Sequence, residues 1–251
     1  MTYATIVFEK LGAVARLTLN RPERANALNR TTLEEIGAAL DQAEHDPDIR
    51  VVIVRGAGSA FSSGFDLKEQ MERPPRGIDE WGPVLRRDFD TVMRFWHFPR
   101  PTIAADDAFF GEPELKFGAG IVAMILPWIV GPKIAKEIIL TGEDRIPAAR
   151  AKEIGMVNRV VPTAELDSAA LALARHIAAI DPDLVKQTKR AINRAYEAQN
   201  MLAALEEALA IDLAVEGAGS PDKAQFMDIA RRDGLKAALA WRDARFPKRS
   251  C

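Results

Sequence analysis

Residues 50–69 read Arg-Val-Val-Ile-Val-Arg-Gly-Ala-Gly-Ser-Ala-Phe-Ser-Ser-Gly-Phe-Asp-Leu-Lys-Glu. Val51 to Val54 form a short apolar run, rich in β-branched side chains, that ends at Gly56. Strands of this kind are buried on both faces, as in a parallel sheet. The small residues from Gly58 to Gly64 then make a loop that runs into a helix. A strand entering a helix through small residues leaves backbone N–H groups unpaired near the helix start, where they can hold a developing oxyanion. Read alone, an ordinary strand-to-helix turn is the simpler account.

Towards the N-terminus, Thr5 to Phe8 and Val14 to Leu19 flank the turn-like Leu11-Gly12 and predict a hairpin. Asn20-Arg21-Pro22 stops the second strand, because proline donates nothing to a ladder. Thr31-Thr32-Leu33-Glu34 fits a capping box, and Leu33, Ile36, Ala39, Leu40 and Ala43 recur at helical spacing.

Towards the C-terminus, Glu72 to Gly82, with Pro74, Pro75 and Gly77, reads as a surface loop. Arg86 to Phe98 suits a helix, and Pro101 to Ala104 the start of another buried strand. Ile134 to Leu140, Ala148 to Ile154, Glu165 to Ile180 and Pro182 to Val215 suit helices. Gly217 to Pro221 breaks the pattern, and Asp222 to Ala244 resumes it. The organisation predicted is a mixed α/β core over residues 1–162 and a helical region over 163–251, with no internal repeat.

The composition is that of a globular protein, 48% hydrophobic and 28% charged over 251 residues. A formal net charge of -2 gives no reason to expect a nucleic-acid or membrane-surface partner. The longest apolar stretch, Ala119 to Val130, is interrupted by Pro127 and is too short to span a bilayer. The N-terminus shows no secretory pattern, and the one cysteine, Cys251, excludes a disulfide framework; both fit a cytoplasmic location. The three histidines, His45, His97 and His176, are scattered without metal-ligand spacing, so structural roles and no metal are expected. Ser62 and Ser63 lack the G-x-S-x-G context of a nucleophile elbow, and there is no glycine-rich dinucleotide or phosphate loop.

Four motifs, taken together, carry more weight than any one of them. Asn20-Arg21-Pro22 with Asn26-Ala27-Leu28-Asn29 resembles the N-terminal signature of the crotonase superfamily, the enoyl-CoA hydratase/isomerase family. Phe61 to Glu69 resembles its first oxyanion loop, and Phe110-Gly111-Glu112-Pro113-Glu114 its acid/base loop. Leu140-Thr141-Gly142, Ala148 to Glu153 and Gly155 to Pro162 resemble the segment that follows. They stand in family order across nearly the whole chain.

The resemblance implies repeated ββα units forming two roughly perpendicular sheets, with C-terminal helices that build homotrimers, often paired into hexamers. It implies an acyl-CoA thioester substrate and no cofactor beyond the CoA that the substrate carries. Two backbone N–H groups polarise the thioester carbonyl in that family, and the first falls on Phe65. Asp66, Leu67 and Lys68 would line the tunnel for the pantetheine arm, and Arg24 and Ala25 would meet the nucleotide end of CoA. Lys68 and Arg24 as plain solvated charges is the competing reading. Glu114 matches the glutamate that moves protons, its affinity raised by an apolar acyl pocket. Glu112 stands where many members carry glutamine and would support Glu114.

One departure stands out. Pro101 to Ala105 runs straight into Asp106-Asp107-Ala108-Phe109-Phe110-Gly111, whereas family members have roughly twenty further residues there, a strand-helix passage of a βαβ unit. That passage would supply the second oxyanion amide and the first hydratase glutamate, for which no residue here is a match. Either a passage of the protein lies outside this sequence or the protein is truly short there; the good family pattern from Ala104 onward favours the first. The leading reading is an enoyl-CoA hydratase or isomerase. The rivals are an acyl-CoA-binding homologue without turnover, and a hydrolase of the related caseinolytic-protease fold, for which no serine and histidine fall in a recognisable order.

Overall fold

The computed structural model describes residues 2–105 and 109–246. The Asp106–Ala108 part of the short passage, and Cys251, lie outside the described residues.

The strands are β1 (Ile6–Leu11), β2 (Val14–Leu19), β3 (Val51–Gly56) and β4 (Thr102–Ala105), in one sheet of that order. β1 and β2 are an antiparallel hairpin in which Leu11 faces Val14. The two-residue turn puts Gly12 at φ 69°, first of its two central positions, which a hairpin with native twist requires of a glycine. β2 pairs with β3, and β3 with β4, in parallel. Parallel neighbours need a long crossover, and α1 (Arg30–His45) supplies the one between β2 and β3.

Both faces of this sheet are covered, as the apolar run in β3 predicts. Ala15, Leu17, Leu19, Val52 and Val54 face Ile36, Ala39, Leu40 and Ala43 of α1, with Phe98. Val14, Val51 and Ile53 point the opposite way, onto Ala170, Ala174 and Ala178. The alternation follows from the two-residue period of a strand.

The remaining helices are α2 (Leu67–Glu72), α3 (Gly77–His97), α4 (Leu126–Val130), α5 (Pro132–Thr141), α6 (Ala148–Glu153), α7 (Leu166–Ala178), α8 (Pro182–Glu197), α9 (Met201–Ala218), α10 (Pro221–Asp233) and α11 (Leu235–Ala244). Four local expectations are corrected. α1 is capped not by Thr31 but by Asn29, whose side chain accepts from the Thr32 N–H at 2.9 Å. The expected loop from Glu72 to Gly82 shrinks, because α3 begins at Gly77; Trp81, Leu85, Phe89 and Met93, spaced by four, form a buried stripe that outweighs the nearby prolines. The long helix expected from Pro182 to Val215 is broken where Asn200 takes φ 69°, and that expected from Asp222 to Ala244 where Gly234 takes φ 91°. Left-handed residues end helices.

The chain divides into two compact units. The first, Met1–Asp66, Asp90–Ala108 and Asn158–Leu202, holds the sheet, α1, α7 and α8. The second, Leu67–Phe89, Phe109–Val157 and Ala203–Cys251, is built around helices. One of its cores gathers Leu126, Val130, Ala135, Ile138, Ile139 and Ile154. Another stacks Phe117 on Phe226, ring centroids 5.3 Å apart, with Met227, Ala230 and Ala238. The helical residues 163–251 contribute to both units. No helix among the described residues is long and apolar enough to cross a membrane.

Candidate functional site

In the first unit the 20–29 and 57–66 loops are stitched together by Asn26, which is 1% exposed and takes φ 53°. Asparagine tolerates that left-handed conformation better than most residues. Its Oδ1 accepts from the Arg21 N–H at 2.9 Å, and its Nδ2 donates to the carbonyls of Ala57 at 2.8 Å and Ala60 at 2.6 Å. Ser63 N–H donates to the Ala25 carbonyl at 2.9 Å, and Ser62 Oγ donates to the Asn26 carbonyl at 2.9 Å. Asp66, buried, forms an ion pair of 2.9 Å with Arg21. That carboxylate faces Arg21, and the two serines work as loop fasteners.

This stitching aims Phe65. Leu28 N–H donates to the Gly64 carbonyl at 2.8 Å, and Asp66 N–H to the Leu28 carbonyl at 3.0 Å, so Leu28 and Phe65 form an isolated parallel bridge. In such a bridge the flanking residues spend their groups on the partner, and the N–H of the central residue points the other way. Phe65 N–H is therefore directed away from Leu28, and no backbone hydrogen bond among the described residues uses it. Gly64 takes φ 82°, the conformation that makes the bend before it. Arg24 closes a short 3₁₀ turn, Pro22–Arg24, and is exposed, as is Ala25.

In the second unit, Leu67 packs with Phe117 and Phe226, while Lys68 is exposed on α2. The loop carrying Glu112 and Glu114 is pinned at Phe110, which exchanges backbone hydrogen bonds of 3.0 and 2.8 Å with Ile146. Glu112 N–H donates to the Glu143 carbonyl at 2.7 Å. Gly111 is obligatory, since a Cβ there would come within 2.5 Å of Asp144 Cα.

The Glu112 and Glu114 side chains share a hydrogen bond. Burial first, and Glu114 second, pushes Glu112 up to about 8. Burial also raises Glu114, against its own backbone N–H, the Glu112 hydrogen bond and Arg242, all of which favour its charged form. The shared hydrogen bond raises Glu112 and lowers Glu114, as a bond donated by the Glu112 carboxyl to Glu114 does. Glu114 Oε2 is buried with no hydrogen-bond partner among the described residues.

Two further carboxylates escaped the sequence reading. Asp212 and Glu216, one turn apart on α9, are 3% and 6% exposed. Glu216 accepts from the Gly120 N–H at 3.1 Å and pairs with Lys223, whose ammonium lies 4.3 Å from the Trp81 ring centroid. Both Asp212 oxygens are buried without a hydrogen-bond partner among the described residues. Two acids within the apolar run Leu209-Ala210-Ile211-Asp212-Leu213-Ala214-Val215-Glu216 were the available signal.

The enoyl-CoA hydratase/isomerase family model matches residues 9–91 and 100–215. A probable enoyl-CoA hydratase, echA8, of Mycobacterium bovis is 32% identical over 223 positions, covering 78% of this chain and 84% of its own. The short-chain-enoyl-CoA hydratase of Clostridium acetobutylicum is 33% identical over 77% of this chain and 83% of its own. The crystal structure of an enoyl-CoA hydratase/isomerase from Xanthobacter autotrophicus Py2 superposes with a TM-score of 0.97 at 66% identity, covering 98% of this chain and all of that one. The M. bovis alignment is longer than the share of this chain it occupies, so that relative has residues without counterparts here; the Xanthobacter chain is matched in full. With the loop order read from the sequence and this fold, the chain belongs to the enoyl-CoA hydratase/isomerase family of the crotonase superfamily.

Proposed function

We propose that the protein binds an acyl-CoA thioester and moves a proton on its acyl chain, with Phe65 N–H holding the thioester oxygen and Glu114 as the proton carrier. The observation that carries this reading is the Leu28–Phe65 bridge, which turns one main-chain donor away from the loop that holds it. A donor placed in advance of the reaction stabilises the enolate oxygen at no cost in reorganisation. Supporting it, Glu114 sits in a setting that raises its proton affinity, as proton transfer near neutral pH demands.

Of the two reactions, double-bond isomerisation needs one carboxylate: Glu114 takes a proton from C2 of a 3-enoyl thioester and returns it to C4 of the enolate. Hydration asks more, because one group must activate water while a proton reaches C2. Arg24, Ala25, Leu67 and Lys68 are read as contacts of the CoA arm, and Phe65's side chain as part of the pocket wall. No cofactor other than the substrate's CoA, no nucleic acid and no membrane enters the scheme, and the location is cytoplasmic. A second reading, binding of acyl-CoA without turnover, draws on the short passage after β4, where no residue matches the second oxyanion amide.

The test is turnover of crotonyl-CoA and of a 3-enoyl-CoA by the purified protein, with calorimetry of a saturated acyl-CoA alongside. Turnover of either supports the proposal. Binding without turnover selects the second reading, and neither binding nor turnover at millimolar ligand overturns both.

A further inference from the structure

We propose that Asp212 is a positioning residue for Glu114: its buried carboxyl closes the turn behind the acid/base loop and, by gaining or losing charge, fixes how tightly Glu114 holds its proton. This rests on the reading of Glu114 as proton carrier.

The geometry starts from the buried side-chain polar atoms that have no hydrogen-bond partner among the described residues. They are three: Glu114 Oε2 and the two oxygens of Asp212. Buried carboxyl oxygens without donors are costly, and native proteins keep few of them. That they belong to two acids of one unit, linked through one turn, is the signal. Ala119 N–H donates to the Glu114 carbonyl at 3.1 Å, and the next residue, Gly120, lies on Asp212: a Cβ at Gly120 would fall on Asp212 Oδ1. The turn between the acids thus has room for Asp212 because residue 120 is glycine. Glu216 holds the same glycine by its N–H, and Lys223 neutralises Glu216. Lys223 favours a charge on Asp212, whereas Glu216 and Glu114 resist one. Burial comes first, and the balance raises Asp212 to about 7.

The charged groups that bear on the pair come from each packed element: Glu112 from the loop, Glu216 from α9, Lys223 from α10 and Arg242 from α11. Two acids that repel titrate in two steps, and the second vanishes when one is made neutral. Asp212→Asn therefore leaves a single step in the Glu114 profile, with KM changed less than about threefold.

The experiment uses the Glu112→Gln background, which removes the third ionisation. The pH profile of kcat/KM and carboxyl ¹³C NMR of the Glu114 side chain are recorded with Asp212, with Asp212→Asn and with Gly120→Ala, which displaces the Asp212 carboxyl. A two-step Glu114 titration that becomes single in both variants is the expected result. An unchanged two-step curve, or a single step already present with Asp212 intact, overturns the inference. If the variants do not fold, the NMR curve with Asp212 intact decides alone. Coupled NMR steps without any turnover leave the Asp212 inference standing and sink the proton-carrier reading. Turnover that needs Glu114 but ignores Asp212 does the reverse.

Discussion

Replacing Glu114 by glutamine keeps its volume and removes its ionisation. Glutamine can still accept from the Glu114 backbone N–H and from Glu112, so the loop between Phe110 and Phe117 has no reason to move. Burial raises the proton affinity of Glu114, which means that its charged form weakens the fold; the neutral amide should leave the protein at least as stable at pH 8. Any loss of activity is then chemical. Loss of a general acid/base lowers kcat by roughly 100- to 10,000-fold, or about 3–5 kcal/mol in the barrier. KM should shift little, since the proposed scheme has the thioester held by the loop at Phe65. Glu112→Gln is the companion: its amide donates the hydrogen bond that the Glu112 carboxyl gives Glu114, so kcat at neutral pH should fall no more than about tenfold, and the ionisation near 8 should disappear. The assay follows the conjugated thioester absorbance, decaying with hydration or growing with isomerisation of a 3-enoyl-CoA, alongside a melting curve. If Glu114→Gln retains wild-type kcat, this carboxylate moves no proton. If Glu112→Gln is the inactive variant, the roles of the two acids are exchanged.

Other consequences can be measured together. Asn26→Ala strands the Ala57 and Ala60 carbonyls and the Arg21 N–H, so it should cost about 3 kcal/mol, read as a melting point lower by roughly 6–12 °C; a shift under about 2 °C refutes the stitching role. Asp212, pushed up from 3.8 to about 7, stabilises the fold in full below pH 3.8, and that contribution is lost as pH rises to about 7. Asp212→Asn should hold the melting temperature up at pH 8, by as much as about 4 kcal/mol, and a variant melting in parallel with wild type from pH 5 to 8 would count against the buried acid. Leu184, Ile192 and Tyr196 of α8 are 61%, 58% and 40% exposed, a row suited to association, and light scattering should find a trimer or its dimer; a clean monomer at micromolar concentration removes the proposed assembly.

The hairpin, the buried β3, β4 and the loop order were legible because each rests on local periodicity or on a motif of fixed spacing. The N-terminus of α1 was misread for a local reason: Thr31 and Glu34 satisfy the capping spacing, but Asn29, two residues earlier, offers the stronger cap. The start of α3 was hidden by Pro74, Pro75 and Gly77, which argue for a loop until Trp81, Leu85, Phe89 and Met93 are read as one stripe. Asp66 was assigned to the pantetheine tunnel by its position in a motif, and its ion pair with Arg21 is a contact that the motif did not announce. Glu114 was legible from its motif, but Asp212 lies about a hundred residues further on in a helix with no motif, and only the fold brings it behind Gly120. Long-range pairing of two acids leaves no periodic trace.

The same pairing bears on which reaction the protein favours. Hydration requires a base for water and an acid for C2, and the passage that would supply the first hydratase glutamate has no counterpart after β4. Asp212, at 3% exposure and lying against Gly120, is proposed to act through Glu114 and is not a second group at the substrate in that scheme. In the proposed scheme, proton traffic then falls to one exchanging carboxylate backed by a second that adjusts its affinity. A single base that lifts a proton from C2 and returns it to C4 needs nothing more than the proposed Phe65 N–H to hold the enolate oxygen in between. Isomerisation of 3-enoyl-CoA should therefore outrun hydration of crotonyl-CoA in kcat/KM, by tenfold or more if a second acid/base is worth the usual minimum of about 100-fold. Side-by-side assays with the two substrates at one enzyme concentration give the ratio directly. A ratio favouring hydration requires a second proton-handling group at the substrate and contradicts the one-carboxylate scheme.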